Sequence, residues 1–281
     1  EGLAKLTTSR RLDYYYASLD ETYADLDANV NELSLIEEAI EAIDAEQFTV
    51  ALEILDNSLT AFPNSAIAYD LRGVALLKLN RLADAETNFT QAIELRPDFA
   101  IAWYNLGRIA EQLGKSEAAM EHFNQALELE GDLTKAYFDR ALLHKKTGDA
   151  EAAIADYDKI LELRGDSYLK AYINRGLARK TLGDYVGALA DLNKAIEEFP
   201  RQATLRNHRG NLHLLFGYHN RALEDYTRAI QLDNDYAEAY YNRGLTHFVV
   251  YDQVSGCADL EKSSQLGYER AAEKQRYFCV Q

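Results

Sequence analysis

A small residue returns to the same sequence context every 34 residues, and that period constrains the fold more than any single motif. Gly73 in AYDLRG is followed 34 residues on by Gly107 in AWYNLG and then by Ala141 in AYFDRA. Gly176 in AYINRG comes 35 later, and Gly210 in LRNHRG and Gly244 in AYYNRG follow at 34. Ala39 stands 34 before Gly73, which gives seven copies. A period of this length marks a helical array, in which each unit is too small to bury its own apolar face and is stable only when stacked on its neighbours. Catalysis needs residues converging on a pocket, whereas a stacked array offers a long surface. The expectation is a binding scaffold.

Each unit reads as two helices. The eighth place holds the residues above; the twentieth holds Ala51, Ala85, Ala119, Ala153, Ala188, Ala222 and Gly256. Glycine inside a helix costs about 1 kcal/mol relative to alanine, so five at one place need a reason. Close approach of the two helices at these small residues supplies it. Large residues surround the contact, among them Trp103 at the fourth place and Phe89, Phe123, Tyr157 and Tyr226 at the twenty-fourth. Pro63, Pro97 and Pro200 all fall at the thirty-second place, where a residue without an N–H suits a helix boundary. The turns inside the units read KLNRL, QLGKS, KTGDA, TLGDY and LFGYH, with Asn or Gly placed to end a helix.

This pattern resembles the tetratricopeptide repeat (TPR) family from about Glu32 to Arg270. The copy AWYNLGRIAEQLGKSEAAMEHFNQALELEGD carries the family's Trp, Leu-Gly, Ala, Phe and Ala almost in full. The first unit departs, with Leu35 and Ala39; the last has Gly256 and Ser263 for alanines, and its SSQLGYERAA leans towards the Sel1-like repeats. The resemblance implies an all-α fold, a right-handed α-solenoid of about seven TPR helical hairpins with N- and C-terminal capping helices. The expected units are 32–65, 66–99, 100–133, 134–168, 169–202, 203–236 and 237–270. An N-terminal amphipathic helix or cap (1–31) precedes them and a C-terminal cap helix (271–281) follows. In the first of these segments Leu12, Tyr16, Leu19, Tyr23, Leu26 and Val30 recur at helical steps between about Arg10 and Asn29, as a capping half-repeat or a docking helix would.

Composition narrows the function. A net charge of −16 argues against nucleic acid, whose phosphates demand a basic footprint. No apolar run is long enough to span a membrane. Neither a phosphate-binding loop nor a dinucleotide fingerprint occurs, and no strand-turn-helix context raises a serine nucleophile. His144, His213 and His247 share the eleventh place of their units, a packing position, and the spacing of His208, His213 and His219 does not suit a metal. No enzyme activity, cofactor or metal is expected. Cys257 and Cys279 lie ten residues before and twelve after Gly267, so an antiparallel hairpin would set them opposite one another. They are either a disulfide, which favours an exported, oxidising setting, or two separately buried thiols.

A polar pattern recurs too. Arg140, Arg175, Arg209 and Arg243 hold the seventh place, and Asp156, Asp191, Asp225 and Asp259 the twenty-third of the same units, as ion pairs across each hairpin would.

The family resemblance places the first helices on the concave face. Their free stripe is the expected peptide site: Tyr104, Asn105, Arg108, Lys135, Asp139, Lys146, Lys170, Asn174, His208, Asn211 and Asn242. Asn105, Asp139, Asn174, His208 and Asn242 all hold the sixth place, a polar ladder able to hydrogen-bond the backbone of an extended chain. Arg108, Lys135, Lys145, Lys146, Lys170 and Lys180 make the middle of that stripe basic against only Glu111 and Asp139, which suits an acidic segment or a chain-end carboxylate. The family's two-carboxylate clamp for chaperone C-termini is not reproduced in any three consecutive units, since Lys135 and Lys170 are followed four residues on by Asp139 and Asn174 rather than Arg. The first two units carry Leu33, Ile36, Ile40, Ile43, Ile67, Leu71, Val74 and Leu77 instead, an apolar stripe that the N-terminal helix or another chain would cover. Two functions follow: an adaptor gripping a protein or peptide in the groove, or an assembly subunit, such as a homodimer, joined through the N-terminal helix and the apolar first units.

Overall fold

The computed structural model describes residues 30–165 and 168–279, and the N-terminal helix expected over 10–29 lies outside them. Every regular element among the described residues is a helix. Fourteen pair into hairpins: α1 (Val30–Asp44) with α2 (Phe48–Ala61), α3 (Ala66–Lys78) with α4 (Leu82–Leu95), α5 (Ala100–Gln112) with α6 (Ser116–Leu129), α7 (Thr134–Thr147) with α8 (Ala150–Arg164), α9 (Leu169–Thr181) with α10 (Tyr185–Glu198), α11 (Ala203–Leu215) with α12 (His219–Leu232), and α13 (Ala237–Val249) with α14 (Gln253–Gln265). A last helix, α15 (Glu269–Cys279), packs on α14. The chain forms two compact units that divide between Ala136 and Tyr137, inside the first turn of α7.

One backbone device makes every hairpin. The fifteenth place of each repeat is left-handed: Glu46, Asn80, Gly114, Gly148, Gly183, Gly217 and Tyr251 all have φ between 58° and 90°. A left-handed residue after the last helical turn reverses the chain, and glycine enters that region without a Cβ penalty. The next helix then starts on a cap: Asp149, Asp184 and Asp252 accept from the amides of Ala152, Gly187 and Ser255. Ser65 does the same for α3 through Ala68.

Aromatic and aliphatic residues of the second helices form the core. Leu55, Phe89, Phe123, Tyr157, Tyr226 and Leu260, all at the twenty-fourth place, are completely buried. Their size corrects the expected reason for the glycines. A Cβ on Gly73, Gly107 or Gly210 would stand 2.6 Å from the ring of Phe89, Phe123 or Tyr226, so there the glycine clears space for a ring. Backbone approach to the twentieth place occurs where the twenty-fourth is leucine. A Cβ on Gly244 would lie 3.1 Å from the Gly256 carbonyl oxygen, and one on Gly176 would lie 3.5 Å from that of Ala188.

The apolar stripe of the first hairpins is not a bare surface. Ile36, Ile40, Ile43, Ile67 and Leu71 are buried within the chain, and Leu33, Val74 and Leu77 are half-buried.

Candidate interaction surface

Two arginine nitrogens meet each twenty-third-place aspartate. Arg140 donates Nε and Nη2 to Asp156 at 2.9 and 2.6 Å, and Arg209 donates the same pair to Asp225 at 2.8 and 2.6 Å. Arg243 reaches Asp259 at 2.7 Å through both nitrogens, and Arg175 grips Asp191 likewise. The aspartates are buried, so the fork geometry of guanidinium on carboxylate is what makes their charge tolerable. The remaining nitrogen reaches back one hairpin: Arg175 Nη1 to Asp158, Arg209 Nη1 to Asn193, Arg243 Nη1 to Thr227. This backward contact has no single residue type, and reading the repeats by their recurring letters missed it.

In the first unit, Tyr104 and Asn105 are buried, at 6% and 4% exposure. Asn105 Nδ2 donates to Asp70 Oδ1 at 3.1 Å, and the Tyr104 ring packs 6.0 Å from Phe123 with Arg108 over it at 5.8 Å. Little of either side chain is exposed, and the Asn105 amide turns towards the fifth-place residue of the preceding hairpin. Lys135 is exposed and Arg108 half-buried.

In the second unit the same habit recurs. Asn242 Nδ2 donates to Asn207 Oδ1 at 2.9 Å, and Asn207, fully buried, donates in turn to the Tyr236 hydroxyl at 3.1 Å. Asp70 and Asn207 were missed in the sequence. A polar residue 35 positions before a sixth-place asparagine is the signal that finds them. Asn174 accepts from Lys145 Nζ at 2.9 Å and donates to the Lys170 carbonyl, while Asn211 accepts from the Tyr226 hydroxyl at 2.7 Å. The ladder is thus largely spent on joining one hairpin to the next. Asp139 and His208 are half-buried. Burial holds the His208 imidazole below its usual value, with Glu238 pulling it up and Lys180 pushing it further down. Burial likewise lowers Lys145.

Lys146, Lys170 and Lys180 differ from the arginines: among the described residues no ion pair engages them, and Lys146 and Lys170 are exposed. No group of three His, Cys, Asp or Glu suited to a metal occurs among the described residues, and no described helix is long and apolar enough to cross a membrane. Cys257 and Cys279 are bonded to one another, tying α15 to α14.

Stacked two-helix units with a left-handed turn in each define a helical-repeat scaffold of the kind that generally binds other proteins and is not itself an enzyme. Family profiles described as tetratricopeptide repeat match residues 36–87, 71–132, 134–167 and 169–202, and one described as TPR repeat matches 216–248. The chain belongs to the tetratricopeptide repeat family. A comparison with curated protein sequences returned no significant relative. Among solved structures it is similar to a tetratricopeptide repeat protein from Parabacteroides merdae, at 23% identity over 90% of this chain and 100% of that one, with a TM-score of 0.60. It is also similar to the C-terminal part of a TPR protein from Cytophaga hutchinsonii (16% identity, 85% and 98% coverage, TM-score 0.71). A third similar structure is YrrB, a TPR protein with an unusual peptide-binding site (22% identity, 67% and 97% coverage, TM-score 0.54).

Proposed function

We propose that this chain is a non-enzymatic adaptor that holds an extended acidic segment of a partner protein on the first helices of its second unit. One observation carries this reading. The arginines of those helices are engaged by buried aspartates, whereas among the described residues no ion pair engages Lys146, Lys170 or Lys180, on a chain whose net charge is −16. Lysines without partners on an acidic protein concentrate positive potential where an anionic segment would dock. Asn174, held by Lys145, gives that surface a fixed polar edge.

Fluorescence anisotropy with a labelled Glu-rich peptide tests the reading. Affinity should fall with added salt, because exposed charge pairs are screened over about 8–10 Å. Lys146→Glu/Lys170→Glu should weaken binding by at least about tenfold without lowering the melting temperature. Affinity indifferent to both salt and the double reversal would end the proposal.

A further inference from the structure

Along the first helices of the second unit, three places of the groove stripe change chemistry together between α9 and α11. The second place is Lys170 in α9 but Thr204 in α11 and Glu238 in α13. The twelfth is Lys145 in α7 and Lys180 in α9, then Leu214 and Phe248. The thirteenth is polar up to α9, as Asp44, Lys78, Gln112, Lys146 and Thr181, and becomes Leu215 and Val249 in the last two units. Equivalent places lie at the same point of equivalent helices, so the surface itself passes from basic to apolar. Leu215 and Val249 are 54% and 48% exposed, which leaves about half of each side chain uncovered. A single exposed aliphatic residue is ordinary. Two in succession, where every earlier unit is polar, form a pattern that packing does not require.

Neighbouring first helices touch along this row. Lys145 Nζ on α7 meets Asn174 on α9 at 2.9 Å, and Asn242 on α13 meets Asn207 on α11 at 2.9 Å. Between α9 and α11, the Lys180 charge reaches the His208 imidazole and pushes its pKa down. Packed helices lie about 8–10 Å apart, and an extended chain advances about 3.3–3.6 Å per residue. One hairpin therefore corresponds to about three residues of an extended segment. We infer that the bound segment is bipartite: acidic side chains over Lys146, Lys170 and Lys180, and two large apolar side chains, each about three residues further on, over Leu215 and Val249. The inference rests on the adaptor role proposed above and adds the chemistry of the segment's other half. Charge sets the order. Among the described residues no ion pair engages the three lysines, whereas Glu238 stands where α9 has Lys170 and would repel acidic groups at the far end. A segment acidic throughout would meet that repulsion, and one apolar throughout would leave the lysines unmatched.

Fluorescence anisotropy of the full chain with labelled peptides, acetylated and amidated so that no chain end is charged, tests the inference. One peptide is a Glu stretch in a Ser/Gly background. Two others add a pair of leucines at steps of about three residues, after the acids in one and before them in the other, because a strand can lie in either direction. One of these two should bind at least about tenfold tighter than the acidic peptide, since two half-exposed aliphatic side chains gain that much on burial. Leu215→Gln/Val249→Thr installs residues that two other units carry at the thirteenth place. It should abolish the gain and leave both the melting temperature and the acidic peptide's affinity unchanged. Binding of the acidic peptide that is absent, or indifferent to Lys146→Glu/Lys170→Glu, would remove the adaptor reading and the bipartite segment with it. Acidic binding that passes that test, with no gain from leucine in either order or a gain that survives Leu215→Gln/Val249→Thr, would overturn the bipartite segment alone.

Discussion

Arg175 and Asp191 are joined through two nitrogens of one guanidinium, in a pair whose carboxylate is only 3% exposed, while the third nitrogen reaches Asp158 of the preceding hairpin at 2.6 Å. The two aspartates sit in different dielectric surroundings, since Asp158 is 51% exposed. Removing a partner of a buried pair strands the other charge away from water, at a cost of about 3–5 kcal/mol. An exposed pair contributes roughly 0–1 kcal/mol. Asp191→Ala should therefore destabilise the second unit far more than Asp158→Ala in urea denaturation. A double-mutant cycle with Arg175→Ala should show coupling for Asp191 and almost none for Asp158. Equal losses at the two aspartates would contradict this division.

The glycines separate in the same quantitative way. A methyl group on Gly107 would press into the Phe123 ring at 2.6 Å, whereas one on Gly176 meets nothing nearer than 3.5 Å. Gly107→Ala should overpack the hairpin, losing about 1–3 kcal/mol. Gly176→Ala should instead stabilise it by up to about 1 kcal/mol, through helix propensity and a less flexible unfolded chain. Thermal melts of the two variants should move in opposite directions.

The fold was legible because its determinants recur. A small eighth place and a large twenty-fourth place repeat seven times and an Asn or Gly turn residue five times, and recurrence is what a single sequence displays. What the sequence could not display is which neighbour a side chain chooses. Asn105 and Asn242 look like groove residues by their place in the repeat, yet they turn to Asp70 and Asn207, whose letters vary from unit to unit. The sixteen-residue recurrence of Arg and Asp is visible, but the backward contacts to Asp158, Asn193 and Thr227 are not, because three different residue types serve one geometry. Tyr251 escaped for the opposite reason: it breaks the repeat, and attention to periodicity discards exceptions.

Acid should weaken the fold through its histidines. Burial holds His122, His208 and His213 below the usual imidazole value of 6.5. Around His213 the acids Asp225 and Glu224 oppose that shift, and Arg209 and Arg221 add to it. A group that binds its proton less readily when folded leaves the unfolded chain holding more protons below about 6.5, so stability rises with pH across that window and falls on acidification. The melting temperature should drop between about pH 7.5 and 5.5. His208→Asn, a residue that three other units carry at the sixth place, should reduce that drop while changing little at the alkaline end. A melting temperature flat across this range would contradict the burial argument.

The disulfide makes the last helix a separable test. Besides Cys257–Cys279, α15 is held by Ala271, which is fully buried, by Phe278 stacked on Phe248 at 4.7 Å and, just before its first residue, by Tyr268 against Tyr241 at 5.0 Å. Gln253 adds a hydrogen bond to the Phe278 carbonyl at 3.2 Å. Closing a loop over a sequence separation of 22 removes unfolded-state entropy equivalent to about 3 kcal/mol, whereas two ring pairs contribute about 0.5–1.5 kcal/mol each beyond their burial. The bond is thus comparable to all the ring packing on α15. Reduction, or Cys257→Ser, should raise amide hydrogen exchange across 269–279 and leave exchange in α9–α12 unchanged, because stability in a repeat array passes mainly between nearest neighbours. Unaltered protection of α15 after reduction would show that the rings alone suffice to hold it. Increased exchange confined to this helix would mean that the closure of α15 on α14 depends on an oxidising environment, the setting in which such a bond persists.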